Sequence, residues 1–257
     1  MCGIFGAIGS FDLEIFREAV KIISHRGPDD EGTWSSTDNL PNRGAQFAFR
    51  RLAIIDTSPG GHQPMVDPDT GNVIVFNGEI YNYKELRQEL ELDGVRFRSQ
   101  SDTEVLLQCY AKWGMDSLRR LRGMFGLAIW DEANRYVVLA RDRLGIKPLY
   151  MSMIQTQSER KQLIFASELR AILASDLVER KLNPAAVEAY IWNGFTIGPE
   201  TIISGIEQLM PGNAAIVREN GDTEKLAYWT LPRSQMQEDG AERLDEQLRT
   251  SIRQHLV

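Results

Sequence analysis

Short apolar stretches alternate with amphipathic ones along about the first 230 residues, without internal repeats or low-complexity tracts. The apolar runs predict strands over residues 4–8, 46–54, 73–76, 125–131, 136–141, 149–153, 163–166 and 214–217. Residues 125–131 and 136–141 are joined by Glu132-Ala133-Asn134-Arg135, which predicts an antiparallel hairpin. Doubly wound parallel sheets need longer crossovers than such links provide, so an α+β fold of antiparallel sheets covered by helices is expected. Helix ends are also legible. Ser101-Asp102-Thr103-Glu104 before Val105-Leu106-Leu107 has the form of a capping box. Asn183-Pro184 opens a helix that Gly194 can close, and Asn82 with Glu85 starts another through Leu86 and Leu90.

The pattern changes near the carboxyl end. Residues 234–240 are polar and read as a linker, followed by Leu244, Leu248, Ile252 and Leu256 at four-residue spacing. That spacing makes one apolar stripe on a helix, and a stripe needs a surface to cover it. Two placements are open: the helix folds back on the preceding domain, or it starts a second domain. The second is the expectation, giving one domain over 2–231 and a linker with a first helix over 232–257.

Charge and composition narrow the function classes. Lys and Arg number 29 against 36 Asp and Glu, a net charge of −7. An acidic protein is repelled by nucleic acids and anionic membranes, so neither is expected as a partner. No apolar run approaches the roughly 20 residues of a membrane helix, and the amino terminus lacks a basic signal-peptide region. The two cysteines, Cys2 and Cys109, are far apart, and the three histidines follow no zinc spacing, so no metal site is expected. Unclustered cysteines suggest a reducing compartment, read here as the cytoplasm.

Four positions carry candidate chemistry. Removal of Met1 would make Cys2 the terminal residue, with thiol and α-amine on neighbouring atoms. An α-amine with a pKa of about 7.7–8.0 can take a proton from a thiol of about 8.5, joining nucleophile and base in one residue. A buried strand cysteine is the alternative. Gly3, Gly6 and Gly9 do not match the dinucleotide-binding spacing. Asn77-Gly78 could present a side-chain amide and a backbone N–H to a developing oxyanion, or could be a plain turn. Arg51 suits a substrate carboxylate through a two-point contact, or is a surface arginine. Asp102 could hold a substrate ammonium, or is a first-turn acid favoured by the helix dipole.

Taken together, the segments resemble a known family. Cys2-Gly3-Ile4, His25-Arg26-Gly27-Pro28-Asp29, Arg51-Leu52-Ala53-Ile54, Asn77-Gly78-Glu79-Ile80-Tyr81-Asn82 and Ser101-Asp102-Thr103-Glu104 stand in the order seen in class II glutamine amidotransferases. Gly123-Met124-Phe125, the run from Arg141 to Tyr150, and Ala166-Ser167-Glu168 are similar to the glutaminase half of glutamine-hydrolysing asparagine synthetase. The resemblance implies an N-terminal-nucleophile hydrolase, a four-layer αββα sandwich with two antiparallel sheets. It implies that Cys2 attacks glutamine, that Asn77 and Gly78 form the oxyanion hole, and that Arg51 grips the α-carboxylate. Asp102 and Glu79 would hold the α-ammonium, with backbone groups of Leu52 and Ile54 framing the pocket. No cofactor is implied for this half-reaction. ATP and Mg²⁺ would belong to a synthetase domain absent from these residues, and a homodimer is possible. Two further readings are the glutaminase half of a sugar-phosphate or phosphoribosyl amidotransferase, which Pro28 and the Arg141–Tyr150 run disfavour, and a catalytically silent regulatory module.

Overall fold

A computed structural model of the chain describes residues 1–9, 13–36, 44–155, 161–232 and 240–255. The first third contains β1 (Gly3–Ile8), α1 (Leu13–Ile22), β2 (Asp30–Ser35), β3 (Ala45–Arg51), β4 (Met65–Val66) and β5 (Val73–Ile80). Next come α2 (Tyr83–Leu92), α3 (Asp102–Trp113), α4 (Ser117–Arg120), β6 (Gly123–Asp131) and β7 (Tyr136–Arg141). The remainder holds β8 (Tyr150–Gln155), β9 (Lys161–Ala166), α5 (Leu169–Ala174) and α6 (Pro184–Asn193). It continues through β10 (Glu207–Gln208), β11 (Asn213–Arg218), β12 (Thr223–Ala227) and α7 (Gly240–His255).

Two six-stranded sheets form, ordered β10-β8-β9-β1-β3-β2 and β12-β11-β7-β6-β5-β4. The strand pairings in both are antiparallel. The two-residue period of a strand sends alternate side chains to opposite faces, and both faces here are apolar. Ile4 and Ile8 of β1 pack with Val73 and Val75 of β5 between the sheets. Phe5 packs outward with Phe16, Ala19 and Ile23 and with Ala171 and Ile172 of α5. Ile74, Phe76 and Ile80 pack on the opposite outer face with Leu86, Leu90, Val105 and Leu106. Helix, sheet, sheet and helix thus stack as the expected four-layer αββα sandwich.

Each predicted strand forms, several with altered bounds. The strand expected over 46–54 ends at Arg51, so Leu52 and Ile54 lie in the following loop. The strand expected over 73–76 continues to Ile80, which puts Asn77 and Gly78 inside a strand rather than in a turn. Pairing decides this: Asn77 faces Gly126 and Gly78 faces Phe125 across the ladder. A Cβ on Gly78 would fall 2.1 Å from the Met124 carbonyl oxygen, so glycine permits the close approach. β2, β4, β10 and β12 carry no strong apolar signal; β2 alternates between half-buried and exposed residues and is held at the sheet edge by β3.

The hairpin turns at Arg135, at φ 56°, with its N–H donating to the Asp131 carbonyl at 2.8 Å. α6 starts at Pro184 and stops at Gly194, which is left-handed at φ 76°, as expected. The capping box is half realised. Ser101 Oγ accepts from the Thr103 N–H at 3.1 Å, but the Glu104 carboxylate turns away to accept from the Arg98 and Ser99 N–H groups, both at 2.7 Å. Asn82 likewise leaves the start of α2 to others, bonding the Arg120 carbonyl and the Arg122 N–H instead.

The linker expected over 234–240 lies, apart from Gly240, outside the described residues, as does Leu256. Within α7, Leu244, Leu248 and Ile252 are 58%, 53% and 58% exposed. Its polar side, through Arg243, Glu246 and Gln247, lines a cleft with Arg122. An ordinary surface helix presents its faces the other way round.

Candidate active site

A cavity of about 270 Å³ gathers residues from both sheets and from the start of α3. All eight sequence-predicted residues line it: Cys2, Arg51, Leu52, Ile54, Asn77, Gly78, Glu79 and Asp102. They reach it from separate places. Cys2 stands just ahead of β1, Arg51 ends β3, Asn77 to Glu79 lie in β5, and Asp102 begins α3.

The Cys2 thiol is partly buried against Leu52, whose N–H lies 3.4 Å from Sγ and whose carbonyl accepts from it at 3.6 Å. Burial pushes the thiol pKa up, while the Leu52 N–H, the chain-terminal ammonium and Arg51 pull the other way. A thiol held in its neutral form needs a base to become a nucleophile. The Cys2 backbone is held as well. Arg26 Nε donates to its carbonyl at 2.8 Å, Arg26 Nη1 pairs with Glu168 at 2.9 Å, and the Ile4 N–H donates to Ser167 Oγ at 3.0 Å. Sequence reasoning used these residues only as family motifs; their anchoring role depends on contacts 24, 142 and 163 positions apart, which no local pattern shows.

Asn77 is 1% exposed, and its Nδ2 is buried without a hydrogen-bond partner. Such a donor costs about 1–3 kcal/mol unless something accepts from it, and in a cavity wall it is available to an acceptor that enters the cavity. Gln63, which sequence reasoning passed over, fixes the strand just before it. Its Oε1 accepts from the Phe76 N–H at 2.7 Å, while Nε2 donates to Thr103 Oγ1 at 3.1 Å and so ties β5 to α3.

The Arg51 guanidinium is oriented by the loop that follows β3. Nη1 donates to the Ser58 carbonyl at 2.9 Å and Nη2 to the Asp56 carbonyl. A Cβ on Gly61 would lie 2.1 Å from Nη2, so glycine leaves the guanidinium in this position and a larger residue would displace it. Asp56 itself is held below the usual carboxylate range, first by the Ser58 hydroxyl. Asp102 is 5% exposed and accepts from the Ile80 N–H at 3.0 Å. Burial raises its pKa to about 6, with the Glu79 charge adding to the effect and the backbone N–H groups opposing it. A cation from the cavity would favour its ionised form and draw the pKa back down.

Residues 1–229 match the model of the glutamine amidotransferase domain family. This chain belongs to that family. The amidotransferase domain is 36% identical over 236 residues to glutamine-hydrolyzing asparagine synthetase 1 of Bacillus subtilis, covering 89% of this chain and 35% of that protein. It is 37% identical over 253 residues to the putative glutamine-hydrolyzing asparagine synthetase 2 of Methanocaldococcus jannaschii, covering 90% and 47%. The chain therefore spans less than half the length of these relatives. Among solved structures it is similar to the glutamine phosphoribosylpyrophosphate amidotransferase of B. subtilis, with a TM-score of 0.65 and 21% identity over 90% of this chain and 50% of that one. That likeness shows the shared N-terminal-nucleophile hydrolase fold. Among the described residues, no helix of the amidotransferase domain is long and apolar enough to cross a membrane.

Proposed function

We propose that the chain hydrolyses the side-chain amide of glutamine through a cysteinyl thioester and supplies ammonia to an ATP-dependent synthetase domain of asparagine-synthetase type. The observation that carries this reading is the buried, unpartnered Asn77 amide in the same cavity wall as Cys2. The α-amine freed by removal of Met1 takes the thiol proton, and the thiolate attacks the amide carbon. The carbonyl electron pair moves to oxygen, where Asn77 Nδ2 and the Gly78 N–H receive the charge. Return of that pair breaks the carbon–nitrogen bond as the amine passes its proton to the departing nitrogen. Ammonia leaves and a γ-glutamyl thioester remains. Water then attacks the thioester, the amine takes its proton, and the expelled thiolate releases glutamate.

Arg51 holds the substrate α-carboxylate, Asp102 and Glu79 hold its α-ammonium, and backbone groups of Leu52 and Ile54 frame the pocket. Burying these charges without their ligand is costly, which favours a free amino acid over a simple amide. The half-reaction uses no cofactor; ATP and Mg²⁺ belong to the synthetase domain, and the setting is cytoplasmic. The glutaminase domain ends near residue 231, and α7 belongs to a second domain, since its apolar stripe is exposed.

Kinetics on the Met1-free protein, without ATP, test the assignment. Arg51→Ala should raise the KM for glutamine about 100-fold with a far smaller change in kcat, because the carboxylate contact exists before and during reaction. A pure kcat effect would remove Arg51 from the binding role. The pH dependence comes from Asp102. Only its ionised form pairs with an ammonium, and its pKa of about 6 means that the charge is lost as pH falls through that value. KM should therefore rise below about pH 6 in the wild type, and Asp102→Asn should show a high KM with that inflection gone. A KM that is flat with pH in the wild type would refute the pairing. Deleting residues 234–257 should leave glutaminase activity and melting temperature nearly unchanged, because α7 buries little apolar surface on the glutaminase domain. A large drop in melting temperature would place the helix in that domain's core.

A further inference from the structure

The run from Arg141 to Tyr150, the longest of the motifs, has no part in the roles above. It begins with a loop built around two buried side chains. Asp142 accepts from the Leu144, Ile146 and Lys147 N–H groups at 3.1, 2.9 and 2.9 Å, and also from the Phe125 N–H of β6 at 3.1 Å. Arg141 donates to the carbonyls of Gly145, Lys147 and Leu209 at 2.6, 2.8 and 2.8 Å. The backbone of Lys147 is thus fixed from both sides, and its side chain lines the cavity of Cys2 and Asn77. Lys147 is 7% exposed, and its ammonium has no hydrogen bond or ion pair with the described residues. The stem is covered while the ammonium, absent from the fully buried unpartnered atoms, keeps accessible surface, as a charge without a partner requires.

Its position along the cavity follows from strand register. Phe125, bonded to Asp142, is the partner of Gly78, and Gly126 is the partner of Asn77. Gly126 has no side chain, and a Cβ there would come within 3.1 Å of the Pro148 carbonyl oxygen. The chain at Lys147 and Pro148 therefore lies against the strand pair that carries Asn77 and Gly78. Arg51 enters from the other sheet.

We propose that Lys147 is a further substrate-contacting residue, whose ammonium receives the negative charge that appears at the amide end of glutamine. That charge is first the oxyanion of the tetrahedral adduct and then the γ-carboxylate of bound glutamate. The inference rests on the glutaminase reading. The side chain of glutamine is neutral, so Lys147 discriminates in favour of transition state and product, which acts on kcat rather than on substrate binding.

The test uses Lys147→Met, which keeps the length of the side chain and removes its charge, in the Met1-free full chain. Lys147→Met should lower kcat about 10- to 100-fold with KM for glutamine changed less than about threefold, and should raise the inhibition constant of glutamate by a similar factor. Lys147→Arg should recover most of both, and the melting temperature should stay near that of the wild type. Should Lys147→Met not fold, Lys147→Gln carries the same two measurements. Unchanged kcat and glutamate inhibition overturn the proposal. A rise in KM alone does so too, because it places the charge at the α end, as a counter-ion to Glu79. The underlying reading fails separately, if Met1-free wild type releases no ammonia from glutamine.

Discussion

Replacing Cys2 by alanine is expected to lower ammonia release from glutamine by about 10⁴-fold or more, with the fold and the binding of glutamine retained. The loss is this large because, among the described residues, no other group lining the cavity is a nucleophile activated by a covalently attached amine. Cys109, the second cysteine, is fully buried under the second sheet, and burial lifts its thiol pKa to about 12. It cannot substitute. The same reasoning makes Met1 decisive. While Met1 remains, the nitrogen of Cys2 is a peptide amide and takes no proton, and the thiol is already biased toward its neutral form by burial. A Met1-retaining protein should be nearly as inactive as Cys2→Ala. Ammonia assays on both forms, each checked by intact mass, measure the effect. Wild-type rates from Cys2→Ala would remove Cys2 from the reaction.

Asn77→Ala should reduce kcat by about 10²- to 10³-fold while shifting KM little. A neutral amide carbonyl accepts a hydrogen bond weakly, whereas the oxyanion accepts it strongly, so the donor acts mainly in the transition state. The structure adds a stability expectation that a merely structural asparagine would not meet. Nδ2 makes no hydrogen bond in the folded protein, so truncation gives up no native bond from that donor and removes a buried unsatisfied group. The melting temperature of Asn77→Ala should therefore match or exceed that of the wild type. A marked destabilisation with unchanged kcat would make Asn77 a structural residue. An effect on KM alone would exchange its role with that of Arg51.

How far the site could be read from the chain differs from residue to residue. The eight predicted residues stand in ordered motifs along the sequence, and the cavity unites them all. No local pattern gives a role to Gln63, Thr103, Arg26, Glu168 or Lys147, though they anchor or line the same cavity. Arg26 and Glu168 meet across a separation of 142 positions, and Gln63 meets Thr103 across 40. Residue type alone does not distinguish such a contact from a solvated charge or amide.

Local physics explains what the sequence alone determined. Apolar alternation, the Asn183-Pro184 start, the Gly194 stop and the 132–135 hairpin turn depend on backbone preferences and side-chain period within a few residues, so they are present before the chain folds. The antiparallel, two-faced apolar character of the sheets came from short links and apolar runs. Apart from the β6–β7 hairpin, the tertiary structure alone decided which strands became neighbours, and hence what those pairings control. It carried β5 through Asn77 and Gly78, because β6 offered a partner whose carbonyl a glycine could approach. It ended β3 at Arg51 and turned Glu104 away from its own helix toward the 98–99 backbone. It also brought Lys147 to the cavity through a loop anchored on Phe125. The course of β5 and the place of Lys147 depend on β6, a partner that only the fold brings alongside, whereas Glu104 is turned by the backbone just ahead of its own helix, five and six positions away.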